Sequence, residues 1–137
     1  MAKVTYSLVM PERELASGEA DMVIVPGGDG DFGVLPGHIP MISTVRPGIV
    51  EIQDGGKATA RYVVAGGFAE VTRERCTILA EEATPIADVS ADQLAERERV
   101  AVAALGAASG EGERKVAEAA LGVARDLRRA YDFHAGR

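Results

Sequence analysis

Residues 25–38 read "VPGGDGDFGVLPGH", and the interpretation of this stretch decides the fold. Gly28, Gly30 and Gly33 spell a literal G-x-G-x-x-G directly after the apolar run "DMVIV" of residues 21–25. As a dinucleotide-binding fingerprint it would make the chain an α/β protein with a parallel sheet. That fingerprint requires the third glycine to open a helix whose N-terminal amides meet a pyrophosphate. Here Gly33 runs into "VLPGH", where Pro36 and Gly37 oppose a helix. Asp29 and Asp31 would repel a phosphate, and no Gly-Lys-Ser/Thr follows to make a Walker loop. Two readings remain. The stretch is either a long glycine-rich connection between strands, or an exposed contact loop anchored by Phe32 and Val34 with both aspartates outward.

The segments on either side behave as short strands. "VTYSLVM", "ADMVIVP", "PMISTVRPG", "GIVEIQDGG", "ARYVVAGGFAEV" and "CTILAEEA" are rich in β-branched residues and separated by Pro-Gly or Gly-Gly pairs. "EIQDGGKATARYVV" predicts a hairpin turning at Asp54-Gly55-Gly56. Strands this short and this regularly punctuated predict an antiparallel sandwich or barrel over residues 1–85. Aromatics are only 4% of the chain, so the core is built mainly from Val, Ile, Leu and Ala.

The pattern changes over residues 86–137. Ser90 with Gln93 three positions on forms a capping box that starts a helix running to about Leu105. "GAASGEG" breaks it, and a second helix carries Val116, Ala120, Val123, Leu127 and Tyr131 on one stripe. Helices near 15 residues are marginal alone, and these have Ala-rich inner faces that bury little area. The expected hairpin is weakly held and able to move. The fold class is therefore α+β: a β-sandwich followed by an α-helical hairpin.

Composition excludes several functions. The 137 residues carry a net charge of −6, most of it in the first half, which argues against a nucleic-acid partner. Cys76 is the only cysteine, so no intrachain disulfide forms, and it reads as a small buried residue. No signal peptide is visible, and no apolar run approaches the roughly 20 residues that span a bilayer. The two histidines, His38 and His134, lack Cys, Asp or Glu at ligand spacing, so neither a metal site nor a catalytic constellation is expected. His38 reads as a turn or surface histidine, with an interface role as the alternative.

The order of motifs in "GDGDFGVLPGHIPMISTVRPGIVEI", "YVVAGGFAEVT" and "CTILAEEA" resembles the epsilon subunit of F-type ATP synthases. Gly33, Pro36, Gly37, His38, Pro40, Pro47 and Gly48 match its Pro-Gly-His signature in order, and Ala65 to Val71 match its Gly-Gly-hydrophobic-x-Glu-Val segment. "TYSLVMPERELASG" is similar to its first two strands. The resemblance covers nearly the whole chain, through motifs in the first half and through architecture in the second.

The resemblance implies a sandwich at the foot of a rotary shaft, gripping the gamma subunit and touching polar loops of the c-ring. Asp31 matches the acidic position of the ring-facing loop, with Asp29 and Phe32 beside it. His38, Ile42 and Ser43 match positions near the gamma contact. The hairpin would fold down or extend toward the catalytic alpha and beta subunits and impede hydrolysis. Arg125, Arg128 and Arg129 would then meet acidic groups, unless they form an ordinary solvated helix face. Some members bind ATP through Ile/Leu-Asp-x-x-Arg-Ala on the first helix. Ser90, Gln93 and Leu94 replace its acid, arginine and alanine, so ATP binding is not expected, and no cofactor is. The implied protein is a non-catalytic rotor subunit, peripheral on the cytoplasmic face of a bacterial inner membrane. A stand-alone β-sandwich adaptor unrelated to the synthase is the alternative.

Overall fold

The computed structural model describes residues 2–135 of the chain, which divides into two compact units, the first ending at Ile86 and the second beginning at Ala87.

The first unit holds ten strands: β1 (Val4–Val9), β2 (Glu14–Ala20), β3 (Met22–Gly27), β4 (Gly30–Val34), β5 (Met41–Val45), β6 (Gly48–Asp54), β7 (Lys57–Val64), β8 (Gly67–Val71), β9 (Arg75–Ala80) and β10 (Ala83–Pro85). They form one sheet in the order β10-β7-β6-β3-β5-β8-β9-β1-β2, with β4 on β3. Between β3 and β5 the ladder narrows to one pair, Gly27 with Val45. There the sheet folds over, because Val23, Val25, Val50, Ile52 and Val64 on one side share a single core with Val4, Leu8, Val71, Cys76 and Ile78 on the other. Alternation along each strand sends every second side chain into this core. Burial pushes the Cys76 thiol up to about 12, which leaves it unreactive at neutral pH.

Local chemistry explains the turns. Gly55 and Gly56 both take positive φ, 65° and 80°, as a two-residue type I′ hairpin between β6 and β7 requires. Asp21 accepts from the Gly55 amide, and Lys3 bridges Asp21 and Asp54, tying the N-terminus to that turn. These bonds hold the Asp21 carboxyl below its ordinary value, the Lys3 pairing first among them.

Four expectations are revised. The stretch at residues 25–38 is not one long connection, and its exposed part narrows to the acidic turn between β3 and β4. Gly30–Val34 folds back on β3 as a strand, with Phe32 half-buried against the core and Val34 fully buried. The tight packing is what glycine permits, since a Cβ at Gly27 would lie 2.7 Å from the Gly30 carbonyl oxygen. The sheet is also not purely antiparallel: β1 runs parallel to β9 in register from Thr5 with Arg75 to Val9 with Leu79.

The second unit is a one-turn 3-10 segment (Ile86–Asp88; residues 87 and 88 belong to this unit), then α1 (Ala91–Ala107) and α2 (Gly110–Ala135). The capping box forms: the Gln93 amide donates to Ser90 Oγ at 3.1 Å, and the Ser90 amide to Gln93 Oε1 at 3.0 Å. The break between helices is only Ala108-Ser109, and the rest of the expected "GAASGEG" interruption is helical. The apolar stripe on α2 is the fourth revision. Ala117, Leu121, Ala124 and Leu127 are buried, whereas Val116 is 72% exposed and Ala120 is exposed. The buried set steps 4, 3 and 3 residues and packs against Leu94 and Ala101 of α1.

Candidate functional site

Three features stand out: an apolar sheet face, an acidic hairpin tip and an arginine-rich helix.

The apolar face lies on the outward side of β5-β8-β9-β1. Register places Thr44, Phe68, Leu79 and Val9 in one row, and Ile42, Glu70, Thr77 and Ser7 in the next. Ile42 is 74% exposed, Phe68 56% and Leu79 51%. Val9, Met10, Pro11, Phe68 and Leu79 line a groove of about 330 Å³ at one end of the face. Contiguous exposed apolar surface of this kind marks an interaction site. Of the residues singled out from sequence, Ile42 belongs to it. Ser43 does not, because the two-residue period turns it to the opposite face beside Ala69, where its hydroxyl donates to the Thr44 carbonyl at 2.8 Å. His38 lies in the β4–β5 loop, its ring 6.4 Å from that of Phe32 and its Nδ1 2.7 Å from the Ile39 carbonyl oxygen. Phe68 and Leu79 went unnoticed in the sequence, although each is a large apolar residue in an outward phase of its strand.

The hairpin tip carries Asp29 and Asp31 between glycines. Asp31 is not a free acid. Arg46, from the β5–β6 turn, reaches it with Nη2 at 2.5 Å and gives Nη1 to the Gly27 carbonyl at 2.6 Å. The Arg46 amide also donates to the Pro26 carbonyl, and the Gly28 amide to the Thr44 carbonyl. The tip is therefore clamped to the strand that carries Ile42. Asp29 is exposed beside it.

In the helical unit, Arg125 Nε and Arg128 Nη1 both donate to Glu98 of α1, at 3.1 and 2.5 Å, while Arg129 pairs with Asp126 one turn back. The arginines expected to face outward are thus engaged within the hairpin. The Arg128 and Arg125 hydrogen bonds hold the Glu98 carboxyl below the ordinary glutamate value of 4.5. A depressed acid stabilises the fold fully above its unfolded value, and that contribution is lost as pH falls through the folded value. Unfolding of α1 and α2, followed by helical circular dichroism, should show wild type more stable than Glu98→Gln at about pH 7, with the difference shrinking as pH falls below the ordinary glutamate value and through the lower folded one. Equal stability throughout would show that the clamp contributes nothing. Ser90 and Gln93, at two of the positions where an ATP-binding motif would stand, serve the α1 cap, and Leu94 is buried in the hairpin.

Among the described residues no group of three or more His, Cys, Asp or Glu is placed to hold a metal, and no helix is long and apolar enough to cross a membrane.

The family model of the ATP synthase delta/epsilon chain β-sandwich domain matches residues 3–86. An ATP synthase epsilon chain of Rhodospirillum rubrum is 48% identical over 128 residues, spanning 93% of this chain and 96% of that one. One of Paramagnetospirillum magneticum is 52% identical over 103 residues, 75% and 77% of the two chains. Among solved structures, a chain of the Euglena gracilis mitochondrial ATP synthase matches with a TM-score of 0.79 at 28% identity, over 95% of this chain and 82% of that one. A chain from the central stalk and c-ring of the Tetrahymena thermophila enzyme shares the fold at 16% identity, with a TM-score of 0.68. With a relative matched across almost its whole length and a family model across the whole sandwich, the chain belongs to the ATP synthase epsilon chains, subunits of the central stalk of the F-type synthase.

Proposed function

We propose that this chain is a non-catalytic rotor subunit whose sandwich docks on the gamma subunit and meets the c-ring, while its helical hairpin restrains ATP hydrolysis. In this division of labour residues 1–85 couple proton flow to ATP synthesis, and residues 86–137 form the regulatory arm. The complex lies on the cytoplasmic face of a bacterial inner membrane. The stand-alone adaptor reading falls with the family membership.

The observation that carries the proposal is the outward row of Phe68 and Leu79, with Ile42 in the adjacent row on the same face. Exposed apolar side chains on the middle strands of a layer are covered in an assembly. The acidic tip, held in shape by Arg46, suits polar ring loops through hydrogen bonds, with Asp29, Asp31 and Phe32 as the contact. His38, in the β4–β5 loop, would act at the margin of this face, whereas Ser43 stands on the opposite side of β5 and adds no contact to it. For the arm to meet acidic groups on the catalytic subunits through Arg125 and Arg128, these side chains must first leave Glu98.

The test is a synthase catalytic complex depleted of its epsilon subunit, to which the full chain is added. Wild type should bind in one-to-one ratio with gamma and slow hydrolysis, and Phe68→Asp should lower the affinity ~100-fold or more, as loss of an interface anchor does. Phe68→Asp binding as tightly as wild type would remove the apolar face from the interface.

A further inference from the structure

We infer that the segment seated on the β5-β8-β9-β1 face carries a basic side chain that pairs with Glu70, and that this pair fixes its register. The inference rests on the docking reading above and adds the chemistry of the partner.

Glu70 stands inside the apolar face. On β8 it lies two residues from Phe68 on the same side, and in register it is flanked by Ile42 on β5 and Thr77 on β9. It is exposed and makes no ion pair among the described residues. The nearest cation along the face is Arg75, two positions before Thr77 on β9. Its guanidinium donates to Ser7 Oγ at 3.2 Å, toward β1 and away from β8. The carboxylate is thus left without an internal partner.

Any surface that covers Ile42, Phe68 and Leu79 must also cover Glu70, because neighbouring strands bring their side chains within about 5 Å of one another. A carboxylate taken out of water without a partner is strongly unfavourable, so a segment presenting only apolar groups there would be rejected. The face accepts a segment that places a bulky apolar side chain in the groove between Val9, Phe68 and Leu79 and an arginine or lysine on Glu70. A one-residue slip would leave both charges unpaired, so the pair supplies register as well as attraction. The occupant to which we commit is a segment of the gamma subunit.

The experiment measures binding of the full chain to the epsilon-depleted catalytic complex at low and high salt, for wild type, Glu70→Gln, Glu70→Lys and Phe68→Ala. Circular dichroism melts check that each variant folds. Glu70→Gln should bind ~30-fold more weakly and Glu70→Lys weaker still, since each leaves a buried cation unpaired. The wild-type affinity should also fall with salt more steeply than that of Glu70→Gln. If Phe68→Ala weakens binding while both Glu70 variants bind as wild type, the ion pair is wrong and the docking face stands. If neither position affects binding, the docking face is wrong and the ion pair fails with it.

Discussion

Gly67→Ala should unfold the sandwich at a much lower temperature than wild type. Gly67 holds φ at +143°, and a Cβ there would lie 2.0 Å from the Leu79 carbonyl oxygen and 3.0 Å from Ala80 Cα. Both obstacles are backbone of the neighbouring strand, so no rotamer change relieves them. Gly67 also pairs with Val45 on one side and Ala80 on the other, so a shift propagates into both ladders. Conformational strain alone costs about 1–3 kcal/mol, and the collision adds to it, giving an expected loss of at least ~4 kcal/mol. For a unit of this size that corresponds to a fall in Tm of roughly 16 °C or more. Gly30→Ala is the control: its φ is +139°, but nothing lies within 4 Å of the added methyl, so it should show the strain alone. Equal melting temperatures for the two variants would mean that the β8–β9 approach is looser than the structure has it.

Leu127→Ala should melt the helical hairpin and leave the sheet intact. Leu127 is 2% exposed, and among the described residues of this unit the other large buried side chains are Leu94 and Leu121, the remaining buried positions being Ala101, Ala117 and Ala124. Truncating a fully buried leucine costs about 2–5 kcal/mol. A two-helix unit of about 50 residues has little stability to spare, because so small a unit buries too small a fraction of its surface. Hydrogen exchange should therefore show the amides of α1 and α2 losing protection while those of β6 and β8 keep it. Val116→Ala, at a 72% exposed position on the same helix, should change stability by no more than about 0.5 kcal/mol. Retained protection in Leu127→Ala would place the source of hairpin stability outside its leucine interior. Under the function proposed here, the same variant should still bind the depleted catalytic complex but no longer slow hydrolysis.

Much of this protein is local and could be read directly from the chain. β-Branched runs between Pro-Gly and Gly-Gly pairs marked most strands, Gly55-Gly56 specified its own turn, and Ser90 with Gln93 specified the start of α1. In each case the residues that carry the signal touch one another within a few positions, so their preferences act before any tertiary contact forms. The helix phase was less legible, because α2 is alanine-rich on several sides and apolar spacing alone fits both Val116 and Ala117; only packing against Leu94 and Ala101 selects the second. Strand β4 was hidden for a related reason: "GDFGV" has weak strand preference and takes its conformation from pairing with β3. The clamp of Arg46 on Asp31 joins residues 15 apart, and the row of Phe68 and Leu79 beside Ile42 exists only once three strands are in register. Local sequence determined which elements form and how they turn. Tertiary structure decided which side chains share a surface, because strand register and helix phase are set by long-range burial and not by the residues' own neighbours.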